Sequence, residues 1–321
     1  MRYVLMIEPQ QGLSYADQLD LARRAERLGF EGFFRSDHYQ SFPGPGGAPT
    51  TDAWTVIAGL ARETTTIRLG VLVSPVTFRL PGVLAKTVAT ADEMAGGRVE
   101  LGIGAGWNEE EHRQLAIPFP EIGVRAEMLE EQLEIVHGLF EGPDGWSFDG
   151  RHYRLDGALF RPRPAGGTGP GGRPRIIVGG EGSPRSMRIA ARWADEFNLT
   201  SSGPDVAAAK FAALDEACRA IGRDPATLAR SAMVGVLVGA TPAEVAERER
   251  TFLEAIGGSA DSEAWLAARR TRWIHGTPDE ARARVAAFAA AGAERLMLQD
   301  MLPWDRGMVE LIGAELVRGG R

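Results

Sequence analysis

The chain has 321 residues, enough for one large domain or two of ordinary size. Its 44% hydrophobic and 25% charged residues are typical of a soluble globular protein with a sizeable core. A net charge of −7 argues against binding to nucleic acid or to an anionic membrane. Because Lys86 and Lys210 are the only lysines, we expect arginine or backbone amides to hold any anion.

Cysteine usage and the N-terminal segment bear on the cellular compartment. Cys218 is the only cysteine, which excludes an intramolecular disulfide and a cysteine metal cage. No apolar run approaches the roughly 18 residues of a membrane span, and the first residues lack a basic stretch followed by an apolar one. A cytoplasmic protein that does not enter membranes is therefore expected.

Short apolar runs alternate with helical segments along the chain, the pattern of a parallel sheet with crossover helices. Strands are predicted at residues 3–8, 32–35, 67–73, 98–103, 175–178, 196–199, 233–238 and 295–299. Ser14 and Pro81 mark predicted helix starts, and Gly29 marks a helix end. Eight such units favour a (β/α)₈ TIM barrel, an α/β fold, over a doubly wound sheet.

The length of the chain exceeds what a minimal barrel needs. A barrel takes roughly 250 residues, so we expect one barrel domain over residues 1–321 with insertions near 39–52, 142–173 and 257–273. In the second insertion, Asp149-Gly150 between two short apolar runs predicts a β-hairpin.

Active-site residues of a barrel lie at the C-terminal ends of its strands, and the second predicted strand ends in Ser36-Asp37-His38. His38 can exchange a proton near neutral pH, because an unperturbed imidazole has a pKa of about 6.5. The adjacent Asp37 carboxylate could orient His38 or accept a hydrogen bond from a cofactor ring. The alternative is a solvated pair on a loop.

His112 follows three glutamates at residues 109–111. The group suggests either a metal site or acids in the first turn of a helix, and the second interpretation is favoured. No metal is predicted.

Two glycine-rich strand ends are candidate cofactor sites. The G-x-G-x-G run at 102–106 differs from a dinucleotide fingerprint, so its glycines would admit a flat ring or allow close packing of strands. The fifth strand leads into a helix that begins at Pro184, which is typical of an anion site but also of ordinary helix capping. The residues of this second loop are Gly179, Gly180, Glu181, Gly182 and Ser183.

Aromatic residues near the strand ends are candidate walls for a planar ligand, although each could equally belong to the core. They are Phe42, Trp54, Trp107 and Trp304.

The order of these motifs resembles the bacterial luciferase-like monooxygenase superfamily, and within it the branch that uses the deazaflavin coenzyme F420. The resemblance spans nearly the whole chain. It rests on a collinear series that includes Ile67-Arg68-Leu69-Gly70, Ser74-Pro75, Gly96-Gly97-Arg98, the run from Gly102 to Trp107, Gly179-Gly180 and Gly276-Thr277-Pro278.

This resemblance implies a barrel, usually dimeric, with the deazaflavin ring at its C-terminal mouth. It assigns Asp37 to the cofactor and His38 to the substrate. It also implies a bulge after the third strand, often with a cis peptide, and backbone amides at 179–183 that receive the phosphate. The positions that would contact the ring or its side chain are Leu72, Val73, Ser74, Gly106, Trp107 and Asn108.

The resemblance implies hydride transfer between F420 and a small organic alcohol or ketone, imine or enone, with His38 as acid or base. One acid/base group among aromatic walls suits an apolar or mixed organic substrate better than a polyanion. A reduced-FMN monooxygenase is the main alternative, because the same barrel serves both cofactors, and Ser36-Asp37-His38 favours the deazaflavin. A noncatalytic flavin-binding protein is a third reading. A homodimer is expected.

Overall fold

Within the residues that the computed structural model describes, 1–42, 46–164 and 166–319, eight parallel strands close into a barrel. The strands along the chain are β1 (Arg2–Ile7), β2 (Gly32–Arg35), β3 (Arg68–Pro75), β4 (Val99–Gly104), β5 (Trp146–Asp149), β6 (Arg154–Ala158), β7 (Arg175–Gly180), β8 (Glu196–Thr200), β9 (Ala229–Val238), β10 (Ile274–Gly276) and β11 (Arg295–Asp300). The barrel runs β1-β2-β3-β4-β7-β8-β9-β11 and closes where β11 pairs with β1. The predicted fold is therefore confirmed.

Helices connect the strands on the outside of the barrel. They are α1 (Tyr15–Leu28), α2 (Ala53–Glu63), α3 (Pro81–Ala95), α4 (Glu109–Gln114), α5 (Ile122–Glu141), α6 (Pro184–Trp193), α7 (Pro204–Ala220), α8 (Pro242–Ala255), α9 (Ala260–Arg270), α10 (Pro278–Ala290) and α11 (Arg306–Ile312), followed by a π-helical turn at Gly313–Arg318. In the described parts of the chain, none of them is both long and apolar enough to cross a bilayer.

The predicted strands match the observed ones, with differences at their ends. β9 begins at Ala229, four residues earlier than predicted, because the polar residues Arg230 and Ser231 interrupt the apolar pattern. The short strand β10, which pairs with β9, was not predicted. The predicted hairpin forms from β5 and β6. Residues 43–45 of the first predicted insertion and residue 165 of the second lie outside the described residues.

The barrel interior is a packed core of its own, separate from the larger core between strands and helices. It is filled by Val4, Met6, Phe34, Leu72, Ile177 and Met297. A side chain at Gly70 would collide with the Phe34 ring, because its Cβ would lie 2.6 Å from two ring carbons. The interior is therefore closed below the mouth, and ligands are restricted to the strand ends.

A buried ion cluster occupies the N-terminal end of the barrel. Arg295 is fully buried and lies 2.7 Å from Glu100, 3.2 Å from Glu196 and 2.8 Å from Glu31. Burial alone would raise the pKa of Glu196, but the positive charge of Arg295 outweighs it and holds this pKa below its usual range. The cluster lies at the end of the barrel opposite the strand ends that carry His38, so its role is structural.

The β5–β6 hairpin is fastened to α5 by one carboxylate. Glu131 accepts hydrogen bonds of 2.7–3.0 Å from three successive backbone N–H groups, those of Arg151, His152 and Tyr153. The neighbouring Gln132 Nε2 donates to the Tyr153 hydroxyl at 2.9 Å and to the Val76 carbonyl at 2.7 Å. The hairpin, α5 and the segment after β3 therefore form one hydrogen-bonded unit.

Asp300 ends β11 as a fully buried carboxyl group. Its Oδ1 accepts a hydrogen bond from the Leu302 amide at 2.9 Å, and Oδ2 has no hydrogen-bond partner within the described residues. Burial raises its pKa to about 7.

Removing this charge by Asp300→Asn should stabilise the fold more at alkaline pH than at acidic pH. Since the folded pKa is raised, protonation of Asp300 contributes stability that is complete below the ordinary carboxyl pKa and is lost as pH rises through about 7. The variant keeps the acceptor for Leu302. Its free energy of unfolding relative to wild type should increase between about pH 5 and about pH 8, as urea unfolding would measure.

The exposed Asp156 supplies a matched control for this experiment. Asp156→Asn should show no such pH-dependent difference. A constant offset between Asp300→Asn and wild type at both pH values would contradict a raised pKa at Asp300.

Candidate active site

His38 lies directly beyond the C-terminal end of β2, with 12% of its side chain exposed. Its Nδ1 is 2.9 Å from Oε1 of Glu111, a residue of α4 that is 1% exposed. The other oxygen of Glu111 accepts a hydrogen bond of 3.0 Å from the Tyr39 amide. The prediction that residues 109–111 form a first helical turn is confirmed, but the contact of Glu111 with His38 was not predicted.

Two predicted aromatic residues surround His38. Its ring meets Phe42 edge to face at 4.6 Å between centroids and Trp107 at 5.7 Å. Phe42 and Trp107 also contact each other at 5.3 Å, and Trp107 is 65% exposed. The three rings form an open apolar surface with one titratable group, at the end of the barrel where βα-barrel active sites lie.

Asp37 lies in a different environment from its neighbour. Its carboxylate is fully buried and pairs with Arg79 at 2.5 and 3.3 Å, and Arg79 also pairs with Asp52 at 2.5 Å. Burial raises the pKa of Asp37, and the guanidinium of Arg79 opposes this effect. The carboxylate that orients His38 is therefore that of Glu111, whereas Asp37 anchors Arg79.

His112 fastens α4 to the segment after β3. It is 1% exposed, and its two ring nitrogens lie 2.6 Å from the Asn108 carbonyl and 2.6 Å from the Thr77 hydroxyl. Both nitrogens are thus engaged within the protein. Among the described residues, no three His, Cys, Asp or Glu side chains are grouped so that they could hold a metal ion.

The end of β3 has the bulge that the family resemblance implied. The Leu72–Val73 peptide bond is cis, and the pairing with β4 shifts register between Val71 and Ser74. Ser74 is buried and accepts a hydrogen bond of 2.9 Å from the Trp54 indole N–H. Trp54 is 1% exposed, so it supports Ser74 from within the core and does not form an open wall.

Glycines of two neighbouring strands make room for Val73. A Cβ at Gly104 or Gly179 would lie 2.8 or 2.7 Å from a Val73 methyl carbon. For Gly104 of the 102–106 run, the structure therefore favours the strand-packing explanation over close approach of a ligand ring. Gly106 adopts a φ of +77°, which favours glycine and places Trp107 beyond the strand.

The loop between β7 and α6 has free donors. Within the described residues, the backbone N–H groups of Glu181, Gly182 and Ser183 make no hydrogen bond. The Ser183 side chain caps α6 by accepting a bond from the Ser186 amide. Unpaired amides beside the N-terminus of a helix are a favourable environment for an anion.

One of the two lysines of the chain contacts this loop. Lys210 of α7 donates a hydrogen bond of 2.8 Å from Nζ to the Gly182 carbonyl. Arg185, by contrast, donates to the Gly123 carbonyl at 3.1 Å. The sequence did not predict that Lys210 lies at this loop, since 27 positions separate it from Ser183.

A second carboxylate at the barrel mouth was also missed. Glu8, which directly follows β1, accepts hydrogen bonds from Gln299 at 2.6 Å and from Gln10 at 2.8 Å. Gln10 in turn accepts a bond of 2.8 Å from the Ser36 hydroxyl, beside the segment that carries His38. The polar ends of β1, β2 and β11 are thus linked.

Trp304 follows the C-terminal end of β11 and has neighbours different from those of Phe42 and Trp107. It is 48% exposed and lines an open groove of about 230 Å³ with Arg248, Leu302 and Asp305. Within the described residues no ring contact joins it to His38, Phe42 or Trp107.

A closed parallel barrel with a histidine, a buried glutamate and aromatic rings at its strand ends defines a βα-barrel enzyme of the kind whose site lies at the C-terminal mouth. The sequence matches the luciferase-like monooxygenase family over residues 1–295, and the chain belongs to this family.

Relatives and solved structures agree with this assignment. An F420-dependent glucose-6-phosphate dehydrogenase of Nakamurella multipartita is 35% identical over 57% of this chain, which corresponds to 51%, about half, of the relative. An enzyme of the same name from Mycolicibacterium gilvum is 29% identical over 93% of this chain and 92% of its own. The structure of an F420-dependent secondary alcohol dehydrogenase with an F420-acetone adduct has the same fold, with a TM-score of 0.81, 19% identity and 98% coverage of both chains.

Proposed function

We propose that the protein is an F420-dependent oxidoreductase that transfers a hydride between the coenzyme and a small organic alcohol or ketone, imine or enone. The observation that carries this proposal is His38, held by Glu111 and flanked by Phe42 and Trp107 at the barrel mouth. The names of the relatives support the choice of cofactor. We further propose that the protein is a homodimer and acts in the cytoplasm.

The residues present fit this cofactor. The three unpaired amides at 181–183 and the ammonium group of Lys210 suit an anionic tail. Residues 72–74 and 106–108 are proposed to hold the ring. Asp37 is proposed to support this site indirectly, by anchoring Arg79 in an ion pair. When bound, coenzyme F420 supplies the hydride donor or acceptor.

The protein's own contribution is to move a proton and to offer the substrate an apolar surface. In reduction, protonated His38 donates a proton to the oxygen or nitrogen that gains negative charge on the substrate. In oxidation, neutral His38 removes the hydroxyl proton. Phe42 and Trp107 present apolar surface beside His38, which favours a substrate that is apolar or of mixed character.

Cofactor titration tests the proposal. Apo protein is titrated separately with F420 and with FMN, and reduced F420 is then mixed with a panel of ketones, imines and enones while its oxidation is followed. The proposal expects saturable F420 binding and oxidation by at least one carbonyl class. FMN binding without any response to F420 would overturn it.

A reduced-FMN monooxygenase is the second candidate, and the family's name favours it. The two candidates differ in one measurable requirement, because a monooxygenase consumes dioxygen and hydride transfer to F420 does not. Oxygen uptake during turnover separates them.

A further inference from the structure

We infer that Glu111 is a positioning residue that fixes the tautomer of His38, with the proton on Nδ1 and with Nε2 as the atom that exchanges a proton with substrate. The catalytic consequence rests on the proposed function. The tautomer itself does not, because it follows from hydrogen bonds within the protein.

The two oxygens of Glu111 have different partners. Oε2 accepts the hydrogen bond of the Tyr39 backbone amide, which can act only as a donor. Oε1 lies 2.9 Å from Nδ1 of His38. An ionised carboxylate has acceptors but no proton to give, so the ring nitrogen that faces it carries the proton.

The geometry holds this arrangement in place. Glu111 is 1% exposed, so bulk solvent has little access to its oxygens. The next residue, His112, is bonded through both nitrogens to Asn108 and Thr77, which fixes α4 against the segment after β3. The His38 ring is confined by the edges of Phe42 and Trp107.

The second ring nitrogen of His38, Nε2, is available to exchange a proton with substrate. Nε2 of His38 makes no hydrogen bond within the described residues. In the neutral ring this nitrogen has a free lone pair, and after proton uptake it carries the proton to be donated. Both steps of the proposed mechanism thus use the same atom.

Glu111→Gln is the decisive variant, because the amide has nearly the same volume but only one acceptor. The Tyr39 amide requires that acceptor, so the glutamine NH₂ group must face Nδ1 and donate to it. A ring nitrogen that accepts a hydrogen bond carries no proton, and the proton moves to Nε2. We therefore expect the variant to invert the tautomer of His38.

Nitrogen NMR of cofactor-free protein labelled at histidine reads the tautomer directly, and His38→Asn assigns the signals. In the neutral ring we expect the proton on Nδ1 in wild type and on Nε2 in Glu111→Gln. Glu111→Asp, which keeps two acceptors, should retain the wild-type tautomer. Glu109→Gln, an exposed change in the same helical turn, is the matched control and should also leave it unchanged. Identical tautomers in wild type and Glu111→Gln would overturn the inference.

Kinetics separate this inference from the proposed function. Glu111→Gln should lower kcat by about 10² to 10⁴, because a carboxylate-to-amide exchange beside a catalytic histidine stabilises the wrong tautomer. F420 affinity should remain unchanged. Since the equilibrium constant is fixed, kcat/KM should fall by the same factor in both directions. An inverted tautomer with full turnover would refute acid/base catalysis by His38 and leave the positioning role of Glu111 standing.

Discussion

Replacement of His38 by asparagine should lower turnover by about 10² to 10⁴ while F420 binds as it does to wild type, because general acid/base catalysis contributes about this factor. Asparagine can donate a hydrogen bond to Glu111, as His38 Nδ1 does, but it cannot exchange a proton near neutral pH. Steady-state kinetics with the best carbonyl substrate, combined with F420 titration, measures both quantities.

A control for His38→Asn comes from the β5–β6 hairpin. His152 contacts Glu127 at 2.9 Å in a partly buried pair between the hairpin and α5, and within the described residues it does not contact His38, so His152→Asn should leave turnover unchanged. If His38→Asn keeps full activity, His38 has no acid/base role. If it loses F420 binding together with activity, His38 belongs to the cofactor site.

Of the proposed substitutions, replacement of Arg295 should lower the free energy of unfolding most. Arg295→Met removes the cation that compensates Glu100 and Glu196, both buried at the closed end of the barrel. Breaking a buried ion pair in this way costs about 3–5 kcal/mol, because the partner charges stay behind without compensation. The free energy of urea unfolding measures the loss.

Two further variants serve as controls for Arg295→Met. Arg113→Met removes an exposed arginine that pairs with Glu110 on the surface, and solvent screening of this pair should make its effect far smaller than that of Arg295→Met. Arg295→Lys retains a positive charge and should keep the fold even if Arg295→Met does not fold. A loss from Arg295→Met no larger than that from Arg113→Met would contradict a structural role for the cluster.

The fold could be predicted because its signals are local. Most barrel strands are apolar runs bounded by turn residues, their alternation with helices indicates a parallel sheet, and the count of eight units favours a barrel over a doubly wound sheet. Strand ends were predicted less well where polarity changes inside a strand, as at Arg230 and Ser231 of β9. β10 was missed because three residues carry too little pattern.

The site could be predicted only in part, because a side chain's position on a strand end is local but its partner is not. His38, Phe42 and Trp107 follow strand ends in the sequence, and the structure brings them together. Glu111 is 73 positions from His38, so a sequence pattern shows only its place in a helical turn.

Burial was the other quantity that residue type alone did not decide. A tryptophan near a strand end can face a ligand or the core, and the hydrogen bond from Trp54 to Ser74 settles it toward the core. Likewise, the pairing of Asp37 with Arg79 depends on the path of the segment between β3 and α3. Both outcomes follow from long-range packing.

Because the hairpin is fastened to α5, the two elements have to be treated as one unit in protein engineering. Glu131 binds three successive amides of the hairpin, while Gln132 binds both Tyr153 and the carbonyl of Val76 after the bulge. A graft of residues 146–158 alone would leave these donors and acceptors unmatched. Exchange of the hairpin between relatives therefore requires that α5 be transplanted with it, so that the segment leading to Arg79 keeps its support.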